Sequence, residues 1–347
     1  MPRRRRILVV RPDRIGDVAL ATPTIRALRH HFPDAFLAVL VRPSTEPVLR
    51  HNPHLDAILL DDYENEHAGK RGFFDRLRML RKHDFDTALM LLPSERHAWM
   101  TFLAGIRTRI GVGNKLYQYL TFTRRVSRNK YIPLRHEADY CLDLARRLGV
   151  RTDDLSLELY LTQEEKDIAV AELKATGWRE SHRLVALHPE SGGSAPNWKP
   201  ENYAALAERV LRETDDTQIL VLLSKNGSVL QPLFDVPGKE RVLIPAPRND
   251  LRFAMACIDA SSVTVSASTG PMHLAAGLGI PTVNLFCPLT ACSPALWGPK
   301  GNRAEILLPV DGYCSQQCPG DPKLCTFEGG ISVEDATAAV VRQLATV

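Results

Sequence analysis

The chain has 347 residues, 44% hydrophobic and 24% charged, a composition typical of a globular protein long enough for two domains. Its net charge of +4 is uneven: residues 1–150 carry 27 Lys and Arg against 16 Asp and Glu, and the remainder carries 17 against 24. The basic first half favours an anionic partner. We expect no nucleic acid, because no zinc-finger spacing or aromatic RNA-binding strand is present.

The first half alternates short apolar segments with segments of helical periodicity. Its predicted strands are 6–11, 35–41, 57–60, 87–92 and 109–112. Its predicted helices are 22–31, 71–82, 98–104 and 138–148. Residues 113–133 are predicted to be irregular and basic. The apolar run 7–10 is too short for a signal peptide or a membrane span, so we expect a cytoplasmic protein.

The same alternation begins again after a boundary near residues 150–162. The predicted strands are 184–187, 218–223 and 281–286, and residues 261–279 are predicted to form a further strand, a tight turn and a helix. The other predicted helices are 164–175, 201–212, 251–258 and 332–344. The sequence therefore predicts an α/β protein with two doubly wound Rossmann-like domains, 1–155 and 156–347, facing a central cleft. The last helix is free, in this prediction, to pack back on the first domain.

The loop after the first strand carries two carboxylates, Asp13 and Asp17, with Gly16 allowing a turn between them. At the carboxyl end of a strand, Asp17 can act as a general base on a substrate hydroxyl. The alternative is that Asp17 caps the following helix. Neither G-x-G-x-x-G nor a Walker loop follows this strand, which argues against a dinucleotide redox cofactor.

Two loops in the second half have the composition of phosphate-binding turns. Residues 188–200 are rich in glycine and hydroxyls and include Lys199, whereas Trp198 is expected to be a packing residue. Residues 261–279 form a strand, a tight turn and a helix start, which offers unpaired N–H groups to a phosphate. An ordinary βα turn remains the alternative at each loop. The predicted donor-binding residues are Ser191, Gly192, Gly193, Ser194, Lys199, Ser268, Thr269, Gly270, Pro271, Met272 and His273.

Cys314, Cys318 and Cys325 lie in a Pro/Gly-rich segment with the spacing C-x3-C-x6-C. With Cys292 they form a candidate four-thiolate metal site. The spacing lacks the C-x2-C pair of a zinc motif, so we expect no metal here, and thiol packing or an adventitious disulfide is the favoured interpretation.

Three of these segments together resemble glycosyltransferase family 9, the ADP-heptose:lipopolysaccharide heptosyltransferases. They are Ile7–Val18 followed by Thr22-Pro23, the loop ending in Trp198-Lys-Pro200, and the stretch Ser268-Thr-Gly-Pro-Met-His-Leu-Ala-Ala276. The resemblance implies a GT-B fold, an acceptor bound by the first domain, a sugar nucleotide bound by the second, and inverting transfer without an essential metal or other cofactor. Asp17 matches the catalytic base of the family, and Thr269, Gly270 and His273 match its donor-binding segment.

The chain departs from the family pattern at two positions. Ser268 stands where family members often have an aspartate that contacts the donor sugar, and Pro196 stands where they often have a lysine. The phosphate contact is therefore assigned to Lys199 or to the hydroxyls of Ser191 and Ser194. The ribose-binding glutamate of the family has no evident counterpart near residues 224–227.

The predicted function is inverting transfer of a heptose or related sugar from an ADP-sugar to a lipopolysaccharide core or similar anionic glycolipid. Asp17 serves as the base, and Arg11 and Arg14 contact the acceptor. Arg3 to Arg6 suggest peripheral contact with the cytoplasmic face of the inner membrane. The alternatives are a sugar-nucleotide epimerase or hydrolase of the same architecture and a non-catalytic sugar-nucleotide-binding protein.

Overall fold

The computed structural model describes residues 4–128, 131–193 and 195–346. The chain forms two compact units, Met1–Tyr160 and Leu161–Val347. Each unit is a six-stranded parallel sheet with helices, as the alternating pattern predicts. In the described part of the chain, no helix combines the length and the apolar character needed to cross a bilayer.

The first sheet has the order β3-β2-β1-β4-β5-β6, with all neighbouring strands parallel. Its strands are β1 Arg6–Val10, β2 Phe36–Val41, β3 Ala57–Leu60, β4 Thr87–Met90, β5 Thr108–Val112 and β6 Arg124–Val126. Its helices are α1 Ile15–Ala19, α2 Thr22–His31, α3 Glu46–Leu49, α4 Gly69–His83, α5 Glu95–Leu103, α6 Leu116–Leu120 and α7 Glu137–Arg146.

The second sheet has the order β12-β11-β10-β7-β8-β9 and is also parallel. Its strands are β7 Arg183–His188, β8 Thr217–Val221, β9 Val242–Leu243, β10 Val263–Ala267, β11 Thr282–Leu285 and β12 Ala304–Leu307. Its α-helices are α8 Gln163–Ala175, α9 Pro200–Glu213, α10 Leu251–Asp259, α11 Gly270–Gly277, α12 Pro294–Trp297, α13 Tyr313–Gln316 and α14 Val333–Leu344.

Each sheet has its own apolar core. In the first unit, Leu8 and Val10 of β1 pack with residues of the neighbouring strands and of α4 and α5. In the second unit, alternate residues of β7, β8, β10 and β11 pack against α9 and α14. The last helix, which the sequence left free to pack back on the first domain, thus contributes Ala336, Ala339, Val340 and Leu344 to the core of the second unit.

The structure differs from the sequence prediction mainly at sheet edges. The segment 113–133, predicted to be irregular, contains α6 and β6, and two further edge strands, β9 and β12, were not predicted. These elements are short, and an edge strand lacks the continuous apolar run that marks a strand buried on both faces.

Both sheets reverse their strand order at one point, between β1 and β4 in the first unit and between β7 and β10 in the second. Loops that follow strands on either side of such a point diverge and leave a crevice in which ligands bind. The loops singled out from the sequence follow β1, β7 and β10. They therefore lie at the crevices of their own sheets.

Candidate active site

Asp17 lies in the first turn of α1, directly beyond the end of β1. Its side chain is about 20% exposed. The N-cap residue of α1 is Arg14, which makes no side-chain capping bond, so Asp17 does not occupy the cap position that the alternative interpretation required. The carboxylate is instead held by Arg11, whose Nη2 donates to Asp17 Oδ1 over 2.9 Å and whose Nε donates to the Asp17 backbone carbonyl over 3.1 Å.

Arg11 itself is only 2% exposed. Its Nη1 donates to the carbonyl of Leu91 over 2.9 Å, and its Nη2 also donates to Glu137 Oε1 over 3.1 Å. The sequence predicted that Arg11 binds the acceptor. The structure instead places it in the interior of the first unit, with its donors directed at Asp17, Leu91 and Glu137, whereas Arg14 is exposed.

Glu137, the first residue of α7, is 1% exposed and links Arg11 to a second arginine. Arg128 donates to its Oε2 over 2.7 Å and to its Oε1 over 2.9 Å. Sequence reasoning missed both residues because they lie more than a hundred positions after Asp17. The result is a chain of alternating charges, Arg128–Glu137–Arg11–Asp17, in which each buried ion has a charged partner.

Asp13 also lies against the Arg11 guanidinium, with its Oδ1 3.2 Å from Arg11 Nε. Burial raises the pKa of the Asp13 carboxyl to about 7, against the opposing effect of Arg11 and with a further increase from Asp17. The loop after β1 therefore combines a carboxylate fixed by Arg11 with a carboxyl group that changes charge near neutral pH.

A separate buried ion cluster lies beyond the end of β3. Asp61 is fully buried and accepts from Arg96 Nε over 2.8 Å and Nη2 over 3.0 Å, with His97 Nε2 at 3.1 Å. Burial alone would raise the pKa of Asp61, but hydrogen bonds from His97 and Arg96 lower it. These contacts fix the start of α5 to β3, which indicates a structural role.

In the second unit, the loop after β7 is exposed to solvent around its two glycines and buried near its end. Ser191, Gly192 and Gly193 are exposed, and Gly193 has a φ of +68°, a conformation that favours glycine. Ser194 lies outside the described residues. Trp198 is 2% exposed and donates to the carbonyl of Ile331 over 3.2 Å, so it packs in the core as the sequence predicts.

Lys199 is exposed and forms an ion pair with Glu328. The Glu328 carboxylate raises the pKa of the Lys199 ammonium by hydrogen bonding and by its charge. An exposed pair of this kind is worth little, so Lys199 can exchange this partner for another anion.

Glu190 is a residue of this loop that sequence reasoning missed. Its carboxylate accepts from the Ser224 backbone N–H over 2.5 Å and from the Ser224 hydroxyl over 2.6 Å. A Cβ on Gly227 would clash with the same carboxylate. Glu190 thus joins the loop after β7 to the loop after β8, in the region where no glutamate was evident from the local sequence.

The turn after β10 begins α11 at Gly270, with Thr269 at the N-cap and Pro271 in the first turn. Thr269 makes no side-chain bond to the helix, so the N–H groups of the first turn receive no hydroxyl cap. Ser268, the first residue after β10, is half-buried. Met272 is fully buried and His273 nearly so, which gives the Met272 side chain a packing position rather than the donor contact that was predicted for it.

The cysteine-rich segment packs against the core of the second unit. Cys325 is buried with its Sγ 3.6 Å from the Tyr313 hydroxyl, Cys314 is exposed, and Cys292 and Cys318 are half-buried. Across the described residues, no three His, Cys, Asp or Glu side chains are grouped as a metal site requires.

Comparison with known proteins identifies the family. The sequence profile of glycosyltransferase family 9 (heptosyltransferase) matches residues 74–321. Lipopolysaccharide heptosyltransferase 2 of Salmonella typhimurium is 24% identical over 319 residues, which cover 89% of each chain.

Two solved structures share the fold over nearly their whole length. The family 9 glycosyl transferase of Veillonella parvula has a TM-score of 0.82 at 20% identity, covering 99% of this chain and 98% of that one. The ADP-heptose lps heptosyltransferase II of Escherichia coli has a TM-score of 0.76 at 19% identity, covering 98% and 99%. The predicted GT-B fold class is thus confirmed, and the chain belongs to glycosyltransferase family 9, the heptosyltransferase family, and is a glycosyltransferase.

Proposed function

We propose that this glycosyltransferase transfers a heptose from ADP-heptose to a lipopolysaccharide core or a similar anionic glycolipid, with inversion at the anomeric carbon and with Asp17 as the general base. The observation that carries the proposal is the fixed carboxylate of Asp17 at the crevice of the first sheet. Relatives named for ADP-heptose and for lipopolysaccharide support the choice of donor and acceptor.

In the proposed reaction, an acceptor hydroxyl gives its proton to Asp17 while its oxygen attacks the anomeric carbon of the donor. The bond between that carbon and the diphosphate oxygen breaks, and ADP leaves with the electron pair. Arg11 donates hydrogen bonds both to the side-chain carboxylate and to the backbone carbonyl of Asp17. The proposed base therefore keeps one orientation throughout the transfer.

The departing diphosphate is assigned to the second unit. The N–H groups at the start of α11, around Thr269 and Gly270, offer donors and a partial positive charge. The exposed loop Ser191–Gly193 offers further backbone donors, and Lys199 offers an exposed cation. None of these contacts requires a metal ion, so we propose that the reaction proceeds without one.

ADP release from ADP-heptose tests this function, measured with and without a deacylated lipopolysaccharide core acceptor. We expect acceptor-dependent release by the wild type and a loss of roughly 10²- to 10⁴-fold in Asp17→Asn. Asp75→Asn, an exposed carboxylate of α4, is the control and should behave as the wild type.

The other outcomes each select a different function. Release that does not need the acceptor would favour a hydrolase or epimerase. Binding of ADP-heptose without any release would favour a sugar-nucleotide-binding protein. Acceptor-dependent release that survives in Asp17→Asn would remove Asp17 from the mechanism but leave the transferase activity standing.

A further inference from the structure

The first unit exposes a group of large apolar side chains on α6 and beside it. Leu116 and Phe122 are each 74% exposed, Leu120 is 53%, Tyr119 is 51% and Leu103 is 41%. Leu116, Tyr119 and Leu120 are spaced i, i+3 and i+4 on α6, so they share one face of the helix. We call these five residues the apolar face; apolar side chains grouped in this way mark interaction sites.

Hydrogen bonds to the residues on either side of Phe122 hold it in its exposed position. Arg109 is 8% exposed and donates to the carbonyl of Thr121 from Nε over 3.0 Å and from Nη2 over 2.8 Å. The backbone N–H of Thr123 donates to Gln118 over 2.8 Å. Phe122, held between these anchors, has a φ of +51°, a strained conformation for a bulky side chain. Strain of this kind persists where the surrounding structure enforces it, and it is concentrated at functional sites.

The stretch of chain that carries the apolar face is basic, and the sequence has no aspartate or glutamate between Glu95 and Glu137. Lys115, Arg107, Arg124 and Arg125 are exposed within this stretch. The Arg125 guanidinium lies 3.7 Å from the centre of the Tyr119 ring, so cation and apolar surface are adjacent. This acid-free stretch accounts for much of the positive charge of the first half.

We propose that the apolar face docks on an anionic lipid bilayer, with Leu116, Leu120 and Phe122 entering the interface and the surrounding Lys and Arg contacting lipid phosphates. Exposed leucine and aromatic side chains next to basic ones are the pattern by which a surface element lies in a membrane interface. A second copy fits poorly, because a two-fold contact through this face would bring arginines against arginines.

The N-terminal arginines, which the sequence suggested for membrane contact, instead contact residues of the first unit. Arg4 Nη2 donates to the Ala35 carbonyl over 3.2 Å and lies 3.5 Å from Asp56 Oδ1. The guanidinium of Arg5 stacks on the Phe32 ring, and that of Arg6 stacks on the Phe36 ring. Arg3 lies outside the described residues. The apolar face therefore carries the membrane contact better than the chain start does. The inference goes beyond the proposed reaction and does not depend on it, because lipid binding is measured without donor or acceptor.

The test is co-sedimentation of the full chain with vesicles of phosphatidylcholine and phosphatidylglycerol, and with vesicles of phosphatidylcholine alone. We expect binding to the anionic vesicles that falls with added salt. The variant Leu116→Gln/Leu120→Gln/Phe122→Asn should abolish it, because glutamine keeps the helix and asparagine tolerates the positive φ. Arg124→Gln/Arg125→Gln should raise the lipid concentration for half-binding roughly thirty-fold.

The matched control replaces exposed apolar residues of the second unit, as Ile168→Gln/Val229→Gln, and should bind as the wild type. Circular dichroism shows whether each variant is folded. Failure of the folded wild type to bind anionic vesicles, or equal binding by the folded triple variant, overturns the proposal. A dimer that the triple variant dissociates, without any vesicle binding, would assign the face to a second copy instead.

Discussion

Arg11 and Asp17 are joined twice, because one guanidinium donates to the Asp17 carboxylate over 2.9 Å and to the Asp17 backbone carbonyl over 3.1 Å. The same guanidinium also donates to the Glu137 carboxylate, which accepts a further hydrogen bond from Arg128. A carboxylate supported in this way has one orientation, and Arg11 and Glu137, which support it, are buried.

Arg11→Lys should lower kcat by roughly 10²-fold and leave the KM for the donor unchanged. Lysine carries a single ammonium and cannot make the forked contacts to the side chain and backbone of Asp17. Steady-state kinetics of ADP release measure both constants. Arg29→Lys is the control, because Arg29 also contacts several carbonyls and Asp56 but lies at the opposite end of the strands. Equal losses in both variants would mean that the fold, rather than the base, is affected.

Asp13 should make the first unit less stable as the pH rises from about 4 to about 7. The folded carboxyl has a pKa raised to about 7 by burial, so between these limits the folded state holds a proton that the unfolded chain has lost. The free energy of unfolding therefore falls with rising pH, by about 4 kcal/mol for this group. In Asp13→Asn, the free energy of unfolding should fall less steeply over this pH range. Urea unfolding at several pH values measures it, and an unchanged slope in the variant would contradict the assignment.

The sequence predicted the central strands and the loops that follow β1, β7 and β10, because continuous apolar runs and Gly-Pro or Gly-Asp turns are local signals. It missed Glu137 and Glu190, because each acts on a residue far away in the chain: Glu137 on Arg11, and Glu190 on Ser224. The positive charge of Arg11 also led to the prediction that it contacts the acceptor. Burial shows that Arg11 instead supports the Asp17 carboxylate inside the first unit.

Lys199→Met should weaken ADP binding about tenfold, and the loss should shrink at high salt. The proposal is that Lys199 leaves its exposed pair with Glu328 to contact the diphosphate. The control is Lys174→Met, because the pair Lys174–Glu180 has nearly the same side-chain exposure, 48% and 61% against 50% and 66%. Calorimetric titration with ADP compares them. Affinities that stay equal to the wild type in both variants would leave Lys199 as a surface residue.

Gly227→Ala should destabilise the second unit by about 1–3 kcal/mol, because its new Cβ would clash with the Glu190 carboxylate. To relieve the clash, Glu190 must withdraw from Ser224, which separates the loops after β7 and β8. Gly192→Ala is the stability control, since no atom lies within 4 Å of the Cβ position there.

A double-mutant cycle separates the clash from any general effect of the alanine. In a Glu190→Ala background the carboxylate is gone, so Gly227→Ala should cost much less than it does in the wild type. Urea unfolding of the four proteins gives the coupling energy. A cost that is the same in both backgrounds would show that the strain at Gly227 does not come from Glu190.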